Sequence, residues 1–383
     1  MSASPPPRPR PGVLAFATQG AGGDDEARLR ALLGRLPAEF FPFARASKLG
    51  SFRALLGAIR RRPDLVVMEG TGLGGGLAVL LGRLLFGVPF VVSSGDAVGP
   101  FMAARHALLG PAFGLYERRL CGASAGFIGW SPYLAGRALT FGAPRAMTAA
   151  GWAPFAGDAQ KRDEVRRRVR ERFGIGPEVL VFGIAGSLGV GERSGYCYGQ
   201  ELVRALLAVD RPDVAVLIVG DGDGRAGLER LAGRRCHFAG RVARHEVPDY
   251  LVAMDVGSLP QSLDGVGSFR YTTKISEYLA AGLPIVTGRL PLGYDLDGDW
   301  LWRLPGRAPW EDRYVAALAG FMAGVTTQEV AARRLAIPAA LPEFDRERQV
   351  ARVTAFVTEL LDDLRAGKAH PPARKGDDPS RPG

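Results

Sequence analysis

The sequence is poor in cysteine. Cys121, Cys197 and Cys236 stand far apart in a chain of 383 residues. Three scattered thiols build neither a disulfide framework nor a metal site, and they fit core packing in a reducing compartment. Long apolar runs are also missing. The most hydrophobic stretch, Leu73–Val92, is interrupted by Arg83 and broken at Gly87-Val88-Pro89. A helix followed by a buried strand is expected there, not a membrane span. The N-terminal MSASPPPRPRPG lacks the apolar core of a secretory signal. No fixed-period repeat occurs, which excludes a solenoid. No RNA-binding motif that interleaves aromatic and basic residues is present, nor any zinc-finger spacing, so nucleic acid is not an expected partner. A cytoplasmic protein is expected.

What is present is ordinary for a globular chain: 47% hydrophobic and 23% charged residues. The 52 glycines and 28 prolines are dispersed and indicate many turns. Net charge is +10, which suits phosphorylated small molecules or an anionic membrane surface. A basic face on the segment holding Leu55, Leu56 and Ile59 with Arg53 and Arg60–Arg62 reads either as an amphipathic membrane contact at the inner face or as a core-packed helix with a solvated basic end.

Strand and helix patterns alternate along the chain. Val13–Thr18, Leu65–Met68, Pro89–Ser93 and Ala125–Trp130 read as buried strands with helices between them. After a pause at Ala149–Gly157 and a charged helix Lys161–Arg172, the alternation restarts. Strands are expected at Val179–Ile184, Val214–Val219, 236–239, Asp255–Leu259 and Ile285–Thr287. The fold class is therefore α/β, with two doubly wound Rossmann-like domains, 13–157 and 158–340. A helix over about 346–364 aligns Val350, Val353, Val357, Leu360 and Leu364. Residues 1–12 and 366–383 read as disordered tails.

Four segments can carry chemistry. Gly20, Gly22 and Gly23 lie in a glycine turn before a helix, either a phosphate-facing loop or a plain tight turn. Gly220-Asp221-Gly222-Asp223-Gly224 follows a strand. Two aspartates repel a pyrophosphate, so this is a turn at a sheet edge beside a ligand rather than a phosphate cradle. Gly186–Gly199 is a long βα loop holding Ser187 and Arg193, the latter able to neutralise phosphate. The richest segment is Arg270-Tyr271-Thr272-Thr273 before the helix Lys274–Ala281, stopped by Gly282 and Pro284. Lys274 and Glu277 share a face. They suit a diphosphate and a ribose, or they form a simple surface pair.

Three stretches decide the matter when read together: VLIVGDGDGRAGLERLA, CHFAGRVARHEVPDYLVAMDVGSLP and YTTKISEYLAAGLPIVTG. In order and spacing over roughly 180–290 they resemble the family 4 glycosyltransferases of the GT-B fold. The resemblance implies a nucleotide-diphosphate sugar as donor, UDP or GDP, held mainly by the C-terminal domain. It also implies transfer with retention, no metal or other cofactor, and a terminal helix (341–365) that crosses back to the N-terminal domain. The acceptor implied is a glycan, a lipid-linked group or a small molecule. Lys274 and Arg193 would then face the diphosphate and Glu277 the ribose. Arg241 and Val242 match the loop that reads the base. Gly186, Ser187, Gly220, Asp221, Tyr271, Thr272 and Thr273 complete the donor contacts.

Departures from the family pattern are specific. Phe269 stands where one family glutamate would be, with Asp264 nearby. Ser187–Leu188 and Tyr198 lie near the places of a family arginine and lysine. Gly95 occupies the place of the N-terminal catalytic histidine. Asp96, next in sequence, and His106 are the candidate replacements. Two rival functions stay open: a degenerate nucleotide-sugar-binding or partner module, and a GT-B epimerase.

Overall fold

A computed structural model describes residues 12–155, 161–191, 194–296, 298–339 and 341–367. Residues 1–11 and 368–383 of the expected tails, residues 157, 158 and 340 at the expected boundaries, and Arg193 lie outside the described residues. The chain divides into two compact units, Met1–Ala150 with Asp345–Gly383, and Gly151–Phe344.

The first unit runs β1 (Val13–Ala17), α1 (Asp24–Leu32), β2 (Ala38–Phe40), α2 (Lys48–Ile59), β3 (Leu65–Glu69), α3 (Leu73–Phe86), β4 (Phe90–Ser94), α4 (Val98–Arg105), α5 (Gly110–Ala123), β5 (Gly126–Gly129), α6 (Pro132–Thr140) and β6 (Ala146–Thr148). Its parallel sheet has the order β2-β1-β3-β4-β5-β6. Every residue of β1, β3 and β4 is buried. This is why these segments read as continuous apolar runs, since a parallel sheet is covered on both faces. Strand order reverses at β1/β3, so the C-terminal ends of these strands open a crevice. On α2, Leu55 and Ile59 are buried in the core. The helix therefore packs inward with Arg60–Arg62 exposed at its end, which supports the second of the two readings, a core-packed helix with a solvated basic end, over a membrane face on Leu55 and Ile59.

The second unit runs α7 (Arg162–Arg172), β7 (Leu180–Ala185), α8 (Gln200–Leu207), β8 (Val214–Val219), α9 (Arg225–Leu231), β9 (Cys236–Gly240), α10 (Val247–Ala253), β10 (Val256–Leu259), α11 (Thr273–Ala280), β11 (Ile285–Gly288), α12 (Pro291–Asp295), β12 (Leu301–Leu304), α13 (Asp312–Gly324) and α14 (Thr327–Leu335). The sheet order is β12-β11-β10-β7-β8-β9, all parallel. Here the reversal falls between β7 and β10. Two doubly wound units are thus present, as the alternating pattern predicts.

The last helix, α15 (Arg346–Arg365), belongs to the first unit. It buries Val350, Val353, Val357, Leu360 and Leu361; Leu364 is only half-buried. Glu347 pairs with Arg35 at 2.7 Å and Asp363 with Arg145 at 2.7 Å.

One carboxylate ties the second unit together. Asp255, buried just before β10, meets Arg166 at 2.6 Å on α7, Arg170 at 2.5 Å on α7, and Arg334 at 3.4 Å on α14. It also accepts the Val181 N–H of β7 at 2.8 Å. Removing one member of a buried charge network leaves the others uncompensated. Asp255→Ala is therefore expected to cost roughly 3–5 kcal/mol, measured as a lowered midpoint in denaturant unfolding of the second unit.

Candidate functional site

In the second unit the C-terminal ends of β7 and β8 are knit mainly by backbone bonds. Gly186 N–H donates to Val219 O at 2.9 Å, Leu188 N–H to Asp221 O at 3.0 Å, and Gly224 N–H to Leu188 O at 3.0 Å. Gly220 has φ +138°, and a Cβ there would fall 1.8 Å from Gly186 O. Only glycine allows this approach. The turn Gly220–Gly224 is accordingly a brace for the Gly186 loop. Its Asp223 carboxylate accepts from Val190 N–H at 2.8 Å. Gly220 N–H also reaches Gly240 O at 2.9 Å, which brings Arg241 and Val242, just past β9, to the same edge.

The helix α11 enters this edge from β10. Thr272 caps it, its Oγ1 accepting Lys274 N–H at 3.1 Å. Tyr278, fully buried, donates its hydroxyl to Ser258 O at 3.0 Å and fixes the helix on β10. Lys274 is thereby aimed at the β7 loop. A Cβ on Gly186 would sit 2.9 Å from Lys274 Nζ, and Nζ lies 4.9 Å from the centre of the Tyr198 ring. Burial pushes the Lys274 pKa down, Glu277 one turn on pulls it back up, and Arg270 adds to the fall. A half-buried ammonium over a glycine, at the point where strand order reverses, is an anion site by position and by charge.

Several residues expected to face a ligand do other work. The Thr272 hydroxyl is committed to the helix cap. Tyr271 is buried and packs against Phe344 at 6.2 Å. Asp264 takes the N–H groups of Val266 at 2.8 Å and Gly267 at 2.9 Å. Burial pushes its pKa up, but these bonds and one from Ser262 outweigh that and hold it low. Asp264 thus orders its own loop and does not stand in for the glutamate missing at Phe269. Ser187 and Thr273 are exposed, and Glu277 is half-buried. One buried acid escaped the sequence reading. Glu201 of α8 accepts from Tyr196 at 2.6 Å, Ser258 at 2.8 Å and Gly199 N–H at 3.1 Å. Burial raises its pKa despite these bonds.

The first unit carries a second cluster at its own reversal point. Glu69, at the end of β3, is 1% exposed. It meets Arg28 at 2.7 Å and accepts from Trp130 Nε1 at 3.0 Å. Arg28 of α1 also donates to Ser93 Oγ at 3.3 Å and to Ala149 O, and stacks 4.2 Å from the Trp130 ring. A Cβ on Gly95 would lie 2.9 Å from that ring. Trp130 thus fills the space that a histidine at this position would need.

Asp96, half-buried, follows Gly95, and its N–H donates to Ser94 Oγ at 3.2 Å. Its charge reaches Asp25 of α1. His106 is exposed just beyond the eight-residue α4, about 12 Å of helix away from the Asp96 end at 1.5 Å per residue. The structure does not bring His106 to this cluster. The Gly20–Gly23 turn precedes Asp24, Asp25 and Glu26, and Gly22 N–H is taken by Glu26. Three carboxyl groups in the first turn make it a poor phosphate loop. Among the described residues no group of His, Cys, Asp and Glu could hold a metal ion, and no single helix is long and apolar enough to cross a membrane.

Comparison with known proteins bears on both units. Residues 156–300 match the family model for glycosyl transferases group 1, and residues 9–150 match the glycosyl transferase 4-like domain. Among solved structures, Anabaena HepE in complex with UDP and glucose superposes with TM-score 0.67 at 15% identity, over 91% of this chain and 99% of that one. Sucrose-phosphate synthase from Thermosynechococcus elongatus gives TM-score 0.64 at 12% identity, over 91% and 99%. WaaG, a glycosyltransferase involved in lipopolysaccharide biosynthesis, gives 0.62 at 14%, over 89% and 99%. At such identities these likenesses show the fold, which is GT-B. A search of functionally curated proteins found no match.

Asp25 gives the first-unit cluster a titration signature. Burial, Glu69, Asp96 and Asp24 raise its pKa from 3.8 to about 6, against the pull of Arg28. The folded state holds this proton more tightly than the unfolded chain. Asp25 therefore costs nothing below pH 3.8, and its penalty grows until pH passes about 6. Asp25→Asn is expected to stabilise the protein by about 1–2 kcal/mol near pH 7.5, after allowance for solvent screening, and by nearly nothing near pH 4. Thermal melts of both proteins across this range check it.

Proposed function

The chain belongs to the family 4-like glycosyltransferases, and we propose that it carries a hexosyl group from a UDP- or GDP-sugar to a glycan, lipid-linked or small-molecule acceptor. The observation that carries this reading is Lys274 Nζ over Gly186 at the strand reversal of the second unit. UDP is favoured over GDP by likeness to HepE, whose structures include UDP and UDP-glucose. A diphosphate leaving group gains negative charge as the glycosidic bond breaks, and a fixed ammonium stabilises that charge most in a poorly solvated site. Lys274 takes this role. Its own N–H is occupied by the Thr272 cap, so the side chain rather than the helix end meets the phosphate. Glu277 accepts hydrogen bonds from the ribose hydroxyls, and backbone at Arg241–Val242 reads the base. Gly220 and Asp221 hold the Gly186–Ser187 loop against the donor. Arg193, in the same loop by sequence, is proposed as a second phosphate contact.

Transfer proceeds with retention and without metal in this reading, the departing phosphate oxygen taking the acceptor proton. The acceptor binds the first unit, beside Asp96 and the Trp130 ring. Surface-polysaccharide or glycolipid assembly at the inner face of an anionic membrane suits the net charge of +10. A second reading, a nucleotide-sugar-binding module without turnover, is favoured by one observation. Trp130 excludes any histidine at Gly95. Calorimetry with a panel of UDP-, GDP-, ADP- and TDP-sugars separates the two: heat without transfer supports the module.

Lys274→Ala is expected to lower transfer about 10²–10³-fold, as for loss of one charge-stabilising donor. Glu277→Ala is expected to weaken donor binding about tenfold or more, as for a hydrogen bond to a charged group. Circular dichroism of both variants should match the parent. Near-parental turnover by both would overturn the assignment, and NMR of the product anomer tests retention.

A further inference from the structure

We propose that Glu201 is a positioning residue for the donor site and holds Lys274 in place through two separate lines of contact. The proposal rests on the donor reading of Lys274 and adds a residue too deeply buried to touch the donor itself. Glu201, on α8, is 0% exposed. Its bonds straddle the strand reversal between β7 and β10. Oε2 accepts from the Tyr196 hydroxyl at 2.6 Å and from Gly199 N–H at 3.1 Å, both at the end of the β7–α8 loop. Oε1 accepts from Ser258 Oγ at 2.8 Å, within β10.

The first line runs through rings. Tyr196 is buried, and its ring stands edge-on to Tyr198, with centroids 6.2 Å apart. The Tyr198 ring centre lies 4.9 Å from Lys274 Nζ. The second line runs through β10. Ser258 donates its hydroxyl to Glu201, and its carbonyl accepts the Tyr278 hydroxyl at 3.0 Å. Tyr278 stands four residues beyond Lys274 on α11, so the two share a face. One carboxyl group therefore fixes both the ring beside the ammonium and the helix that carries it.

A carboxyl group in this place is costly. Burial pushes its pKa up, and among the described residues no cation pairs with it. An apolar side chain would avoid that cost but leave the Tyr196 hydroxyl, the Ser258 hydroxyl and Gly199 N–H without their acceptor. What the acid supplies is direction, because donors from the loop and from β10 meet at one group. Direction matters for an ammonium that must meet a diphosphate. A misplacement of about 1 Å at a reacting site can cost roughly 10²-fold in rate.

Calorimetry with UDP, run as a double-mutant cycle, tests the proposal. Glu201→Ala is expected to weaken UDP binding about tenfold, and by no more than about twofold in the Lys274→Ala background, since residues that act through one another are not additive. Glu201→Gln is expected to recover most of the loss. Its amide oxygen keeps the two loop donors, and its NH2 donates to Ser258 Oγ once that hydroxyl turns. Val203→Ala, at a fully buried residue of the same helix, should lower the melting temperature yet bind UDP like the parent. If Glu201→Ala does not fold, Tyr196→Phe/Ser258→Ala takes its place in the cycle with the same expectation. Folded variants that bind UDP like the parent would overturn the proposal, as would a Glu201→Gln protein as weak as Glu201→Ala. A full tenfold loss repeated in the Lys274→Ala background, or an equal loss in Val203→Ala, would also overturn it, in favour of general loosening of the unit. Those results leave Lys274 as a donor contact. Lys274→Ala binding UDP like the parent would instead overturn the donor reading, and this proposal with it.

Discussion

Lys274 Nζ rests above Gly186, 4.9 Å from the Tyr198 ring centre, and much of the second unit is arranged to keep it there. The position works only because residue 186 has no side chain, since a Cβ would press on the ammonium. Gly186 in turn is held by backbone bonds to the β8 turn, where Gly220 must also lack a side chain. Thr272 and Tyr278 fix the start of α11, and Asp255 binds α7, β7 and α14 around the same sheet. An ammonium drawn partly out of water is costly unless an anion completes it. Tyr198 and Glu277 supply part of that completion, and a diphosphate would supply the rest.

The first unit solves a different problem. Its reversal point holds a buried arginine, a buried glutamate and a tryptophan ring in mutual contact. Such a pair contributes little net stability, yet loss of either partner is expensive. The cluster therefore fixes the shape of this edge. With Trp130 filling the space beside Gly95, the acids left at the rim are Asp25 and Asp96.

Much of this was legible in the sequence, for physical reasons. Strands buried on both faces leave continuous apolar runs, so β1, β3, β4, β7 and β8 are readable within a residue or so. The strands β2 and β6 have three residues each and are not fully buried, too little pattern to be seen. The Lys274–Glu277 pair is readable because the two are one helical turn apart. The Tyr198–Lys274 contact is not, because only the fold joins residues so distant in sequence. Arg28 is hidden in another way. Within DDEARLRAL it looks like a solvated charge, and only the structure shows it buried against Glu69. The glycine turn at Gly20–Gly23 shows the opposite limit: glycine spacing leaves a phosphate loop and a plain tight turn equally open, and the bond from Gly22 N–H to Glu26 favours the plain turn. The Leu55–Ile59 face reads equally well as membrane or core from one helix alone.

Hydrogen–deuterium exchange with and without UDP tests the central claim most directly, because it reports where the nucleotide binds and not only whether it does. If Lys274 over Gly186 is the diphosphate site, UDP will slow exchange in Gly186–Tyr198 and Thr272–Tyr278 and leave Thr18–Asp25 unchanged. Slowing confined to Thr18–Asp25, with no effect at Gly186 or Lys274, would contradict the account.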